Sequence, residues 1–252
     1  ESERTQSDKY MLGGQVGFNH RPKYGWEYQL AAAYYEYYNV TGEPVTGFGR
    51  EAPEIRALER MKPKSSQLGN SLFNMDQTFA PDAGTTYGLS SEFELLNLSA
   101  KITNSLFYPI HISLYGDWVQ NVAYDSQSMA EKSAEPLTKE DVEAVSGDIG
   151  YQIGLKVGFP KPRQRWDWNT FIEYRYLESD AVLDAFTDSD FHLGGTNAKG
   201  FIFGGELGIY ENVWLSARWM TANEIDDMQN LVDTQLDDLS VDTFQFNMNA
   251  EF

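Results

Sequence analysis

Three histidines, no cysteine and a Ser–His pair two residues apart are what this sequence offers to covalent or metal chemistry. His20, His111 and His192 lie far apart, and no two have the spacing of a metal-binding pair. His111 and Ser113 are two residues apart in IHISLYGDW. In an extended segment this places them on one face roughly 7 Å apart, beyond the hydrogen bond that a nucleophile and its base require. Gly204, Gly205 and Gly208 in GGELG precede no helical pattern, so they read as strand glycines and not as a phosphate loop. Without cysteine there is no disulfide, thiolate nucleophile or zinc–sulfur site. The sequence therefore predicts no catalytic residue, no metal and no cofactor.

Charge is the more informative chemistry. The 252 residues have a formal net charge of −19, which argues against nucleic acid as a partner. Glu224, Asp226, Asp227, Asp233, Asp237, Asp238 and Asp242 fall in one stretch with no Lys or Arg among them. A run of this kind is first a solvated surface. Its functional alternative is bridging of the carboxylates by divalent cations, to one another or to lipopolysaccharide. The stretch lacks the turn glycine of an EF-hand. A second charged segment, EAPEIRALERMK, repeats Ile55, Leu58 and Met61 at helical spacing. It predicts a short amphipathic helix, either lying on a rim or folded inward with Arg56, Arg60, Lys62 and Lys64 toward carboxylates.

The elements that must position these groups alternate with period two. Apolar and polar residues exchange places in YMLGGQVGF (10–18), WEYQLAAAYYEYY (26–38), FELLNLSAKI (93–102), IHISLYGDW (110–118), YQIGLKVGF (151–159), WDWNTFIEYRY (166–176), FIFGGELGI (201–209), VWLSARWM (213–220) and the terminal SVDTFQFNMNAEF (240–252). Period two is the mark of a strand with one apolar and one polar face. Each segment has about the 9–11 residues that a tilted strand needs to cross a bilayer. Mean hydropathy is only −0.48, and there is no run of about 18 apolar residues for a spanning helix. Alternating strands average to such a polar value.

The connections alternate as well. NHRPKYG, TNSLFYP, PKPRQR and YEN are short, whereas 40–86, 125–149, 178–200 and 223–241 are long. Short turns at one end and long loops at the other describe an antiparallel transmembrane β-barrel. Two short turns are basic, through Arg21 and Lys23 in one and Lys161, Arg163 and Arg165 in the other, while the long loops are acidic. Trp26, Tyr108, Phe159, Trp166, Trp214 and Phe252 fall beside short turns; Tyr10, Tyr34, Tyr38, Tyr124, Tyr174 and Tyr176 fall toward the long loops. This predicts two aromatic girdles. With the apolar sets outward, a lumen would receive Glu27, Gln29, Tyr35, Lys101, Ser113, Tyr115, Asp117, Lys156, Asp167, Glu173, Arg175, Glu206, Arg218, Gln245, Asn247 and Asn249.

SVDTFQFNMNAEF, with Phe244, Phe246, Met248 and Phe252, resembles the terminal signal that the barrel-assembly machinery reads in bacterial outer-membrane proteins. Together with the strand–turn–strand–long-loop rhythm, the chain resembles the C-terminal part of proteins called putative porins. The resemblance implies an integral outer-membrane barrel over residues 1–252, in contact with lipid and lipopolysaccharide. It also implies passive diffusion of small hydrophilic solutes. A non-conducting barrel that sheathes a partner protein is the second expectation, and a lipid hydrolase a remote third. Nine strands are odd, whereas single-chain bacterial barrels have even numbers. The expected explanation is an N-terminal portion that completes a barrel of about 16–18 strands. Homo-oligomers are compatible with this arrangement.

Overall fold

A computed structural model describes residues 9–42, 44–45, 69–74, 87–132, 137–225 and 240–251. The strands are β1 (Tyr10–His20), β2 (Trp26–Tyr38), the short pieces β3 (Pro44–Val45), β4 (Leu72–Asn74) and β5 (Tyr87–Leu89), then β6 (Glu94–Phe107), β7 (Ile110–Asn121), β8 (Ile149–Gly158), β9 (Trp168–Leu177), β10 (Ala198–Tyr210), β11 (Val213–Glu224) and β12 (Ser240–Ala250). The helices α1 (Ser126–Lys132) and α2 (Lys139–Glu143) lie between β7 and β8. The nine long strands form one antiparallel sheet of the β-barrel class, in the order β1-β2-β6-β7-β8-β9-β10-β11-β12. Each strand pairs with its neighbours along the chain. Among the described residues β1 and β12 do not pair, so the sheet is not closed. No described helix is long and apolar enough to cross a membrane.

All nine alternating segments are strands of this sheet, with shifted ends. β6 continues to Phe107, well past Ile102, because it stays paired up to a two-residue turn at Tyr108 and Pro109. β9 starts at Trp168 and not at Trp166. Trp166 has φ +74°, in the left-handed region that ends regular pairing. The long connection between β2 and β6 contains a small three-stranded sheet, β3-β5-β4, which extends past residue 86 to Leu89. The predicted helix around residues 51–62, with Arg56, Arg60, Lys62 and Lys64, lies outside the described residues, as does Phe252. Helices α1 and α2 were not predicted, being too short for an amphipathic period to register. Thr138 and Asp141 cap α2 reciprocally, the Thr138 N–H donating to Asp141 Oδ2 at 2.8 Å. That N–H, and then the Thr138 hydroxyl, hold the Asp141 carboxyl below its ordinary value.

Strand register makes the two faces of the sheet chemically different. On the outer face Phe203, Trp219 and Phe244 share one row, and Ile153, Tyr174 and Phe201 another. Their rings meet across strands, with centroids 5.5 Å apart for Phe203–Trp219 and 4.9 Å for Tyr174–Phe201. This apolar face is uncovered: Val16 is 72% exposed, Phe244 70% and Met248 69%. The inner face is the one onto which the long loops fold. There, Tyr35 lies across Gly13, Tyr115 across Gly154 and Phe171 across Gly204, each pair directly opposed in register. A strand glycine has no side chain to pack, and a ring from the next strand covers it.

The two ends of the sheet are closed differently. At the short-turn end, Arg163 stacks on Trp214 at 4.0 Å and pairs with Glu251 at 3.0 Å. Trp214 thus points inward, in register with Gly208 and Asn249, and does not join an outer girdle. At the long-loop end, Val40, Phe93, Leu95, Val119 and Leu183 form a buried apolar cluster. Tyr124, assigned to a girdle by position, packs instead beside Met129, Ala130 and Val142 under the two helices.

Candidate functional site

The inner face carries a charged belt in consecutive register rows. Gln29, Lys101, Tyr115, Gly154, Glu173 and Ile202 occupy one row across six strands. Ser99, Asp117, Gln152 and Arg175 form the next row toward the long loops. Glu27, Thr103, Ser113 and Lys156 lie on the other side, with Arg218 and Gln245 further around the sheet. Glu206 and Asn247 both oppose Ser216. Asn249 donates to the Ser216 hydroxyl at 3.1 Å.

Many of these groups pair along the wall. Arg21 reaches Glu27 at 2.8 Å, Asn97 donates to Asp117 at 2.8 Å and the Tyr115 hydroxyl donates to Glu173 at 3.2 Å. Asn169 donates to Glu206 at 2.6 Å, and Arg218 donates to the Gln245 amide oxygen at 2.9 Å. Ser113 shares a hydrogen bond with Thr103 at 2.9 Å, so its hydroxyl is engaged across the strand pair. Among the described residues no three of His, Asp and Glu gather where a metal could bind. Asp167 departs from the sequence expectation. It precedes β9, and its Oδ2 accepts the N–H groups of Arg163 and Gln164 at 3.2 and 2.9 Å, closing the short turn. Its parity matched the inner face, but turn chemistry claims its carboxylate.

The loop between β9 and β10 folds onto this wall. Its middle carries Asp188, Asp190 and Phe191. Asp188 pairs with Arg175 at 3.4 Å and with Arg218 at 3.8 Å; Asp190 pairs with Arg218 at 3.0 Å. Arg175 also holds Glu173 at 3.1 Å and sits 4.9 Å above the Phe191 ring. Phe191 is buried among the inner-face residues Ala198, Ile202, Met220 and Ala222, with Phe171 beside them. The chain returns through four consecutive left-handed residues, His192, Leu193, Gly194 and Gly195, the two glycines taking φ values of +88° and +91°. An inward fold of the longest loop, one of two alternatives for residues 51–62, lies outside the described residues; the inward fold of the β9–β10 loop is one that sequence reading missed. Its signals were the DSD triplet at 188–190, a lone Phe191 and the Gly-Gly pair, together with two inner-face arginines that needed anions.

A family model described as putative porin matches residues 1–252. The chain belongs to the putative porin family. No curated protein and no solved structure matches it. Membership supports a porin-like, non-enzymatic role in general terms.

In this porin-family chain the inward loop is fixed at its base by a buried polar knot. Asp180 is fully buried; its Oδ1 accepts the Ser71 N–H at 3.0 Å and its Oδ2 the Ser146 hydroxyl at 2.7 Å. Asn70 donates to the carbonyls of Ser179 and Val182 at 2.7 and 2.6 Å, and accepts the Asp184 N–H at 2.9 Å. Asn121, at the end of β7, donates to the Asp180 carbonyl at 2.9 Å. Three long loops therefore share one hydrogen-bonded centre.

Burial pushes the Asp180 carboxyl above its ordinary 3.8, and the hydrogen bonds from Ser71 and Ser146 only partly offset this. A carboxyl raised in the folded state binds its proton more tightly folded than unfolded. Its contribution to stability is therefore greatest at low pH and declines as pH rises from 3.8 through the raised value. Hydrogen exchange in residues 69–72, 145–148 and 179–184 is expected to be faster at pH 8 than at pH 5, after correction for intrinsic rates. Asp180→Asn keeps an acceptor for Ser71, and its amide can donate to the Ser146 oxygen once that hydroxyl rotates. This variant should show the same corrected protection at both pH values. A pH dependence that survives in Asp180→Asn assigns the titration to another group.

Proposed function

We propose that the chain forms a wall section of an outer-membrane diffusion channel for small hydrophilic solutes. The observation that carries this reading is the contrast between the faces. One is a continuous apolar surface, uncovered at Val16, Phe244 and Met248, and the other bears a register-aligned belt of Lys, Arg, Asp and Glu. A lipid-facing exterior and a wet, charged interior give this arrangement its physical sense. The fastened β9–β10 loop narrows the lumen, since Asp188 and Asp190 reach inner-wall arginines on two different strands.

On this reading, further strands close the barrel. An open edge in hydrocarbon leaves backbone groups unsatisfied, at several kcal/mol each. β1 and β12 run in the same direction, because seven strands lie between them in a wholly antiparallel order. An odd number of added strands restores alternation at both edges. A total of about 16–18 strands then makes an aqueous lumen.

The test is planar-bilayer recording from the complete native protein. Stepwise conductance that rises in proportion to salt is the expected result, together with swelling of proteoliposomes in small neutral solutes. A protein that inserts, passes no current and retains a partner protein in its lumen would refute the channel reading in favour of a sheath.

A further inference from the structure

The inner wall holds a concavity of about 300 Å³ spanning β2, β6, β7 and β8, away from the fastened loop. Its polar lining is Gln29, Ser99, Lys101, Tyr115, Asp117 and Gln152. These residues come from two adjacent register rows, so their side chains project together from one face. The volume is at the lower end for small-molecule pockets and suits one or two small rings.

The floor is flat and rigid. The Tyr115 ring lies across Gly154, where a Cβ would collide with its Cζ, and its hydroxyl is tied to Glu173 at 3.2 Å. One ring face is thus spent on the wall while the ring still lines the concavity. The groups around it are only partly used. Asn97 takes one Asp117 oxygen at 2.8 Å, and no described residue bonds the other. Gln29 donates its amide to Glu27 at 2.9 Å, leaving its carbonyl oxygen. Lys101 and Gln152 make no side-chain bond to a described residue and are absent from the paired groups of the wall. Donors and acceptors therefore alternate around an aromatic platform.

That inventory selects a ligand class. An apolar solute would leave Asp117, Lys101 and Gln152 desolvated without partners. An anion would face Asp117 and a cation would face Lys101. A neutral polyhydroxylated ring meets all of them: each hydroxyl both donates and accepts, planar amides and carboxylates bridge neighbouring hydroxyls, and the C–H face of the ring rests on an aromatic side chain. We infer that this concavity is a saccharide subsite on the inner wall. The inference rests on the reading of this face as solute-lined.

The experiment is calorimetric titration of the complete native protein in detergent with maltose, paired with bilayer recording in the same sugar. Dissociation constants on the order of 1 mM are expected, as for a shallow site that must release its solute. Gln152→Ala, which removes no described intramolecular bond, should weaken maltose binding severalfold, and Asp117→Ala at least tenfold. Lys139→Ala, on α2, should leave binding unchanged. Conduction without maltose binding overturns the subsite and leaves the channel standing. Binding that survives both Gln152→Ala and Asp117→Ala also overturns the subsite. Binding of benzoate in place of maltose, with the same residue dependence, overturns the ligand class. Maltose binding with the predicted residue dependence in a protein that carries no current supports the subsite and removes the channel.

Discussion

Gly200→Val is expected to abolish assembly of the sheet around β10 and β11. A Cβ at residue 200 would collide with the carbonyl oxygen of Thr221 and stand 2.8 Å from the Cα of Ala222, both on the neighbouring strand. No rotamer relieves contact with backbone, so β10 and β11 must separate where Gly200 opposes Ala222. Overlap of this kind falls in the exceptional tail of single substitutions, more than about 4 kcal/mol. The same strand pairs also carry Ile202, Met220 and Ala222, which receive Phe191, so the inward loop loses its seat as well. Heat-modifiable migration on gels, which reports folded barrel, should vanish for Gly200→Val. Gly14→Ala is the companion measurement. Nothing lies within 4 Å of a Cβ at Gly14, and that variant should fold to wild-type levels. Equal folded fractions for the two variants would show that close strand approach at Gly200 is not what limits assembly.

Arg175→Ala is expected to release the β9–β10 loop from the wall. Arg175 is the cation between Glu173 and Asp188, whose side chains are 11% and 28% exposed, and it also covers Phe191. Removing it leaves two poorly hydrated carboxylates facing one another. Breaking a buried pair by deleting one partner costs about 3–5 kcal/mol; the partial exposure and the remaining Arg218 contacts bring this to about 2–3 kcal/mol here. That is enough to shift the loop from mostly docked to frequently open. Hydrogen exchange in residues 186–195 should rise by one to two orders of magnitude, about the factor those energies set. If the proposed channel reading holds, the variant should also conduct more than wild type in bilayers and with greater noise, because the loop proposed to narrow the lumen would fluctuate. Arg175→Ala/Arg218→Ala should go further, freeing Asp190. Unchanged protection in Arg175→Ala would mean that Phe191 packing and the Arg218 pairs seat the loop without Arg175.

Local periodicity is the part of this fold legible in the order of residues. Nine runs of period two declared nine strands, and parity alone put Lys101, Tyr115, Asp117, Glu173, Arg175 and Arg218 on one face, because a strand gives successive side chains to opposite sides. The alternation of short and long connections declared an antiparallel order, since each chain reversal must occur at alternate ends. The tertiary structure decided what depends on residues distant in sequence. Asp188 finds Arg218 only after β10 and β11 have been laid down beside β9, and no spacing rule connects positions 188 and 218. Asp180 reads as an ordinary loop carboxylate until Ser71 and Ser146 arrive from two other loops and exclude water from it. Asp167 and Trp166 had the parity of a strand, but the Arg163 and Gln164 N–H groups drew them into a turn. Trp214 sat at the right depth for an outer girdle, but it shares the parity of Arg218 and so faces inward; only the fold brought Arg163 over its ring. Side-chain direction follows from a strand's own dihedral angles, whereas loop docking follows from which charges the finished wall leaves without partners.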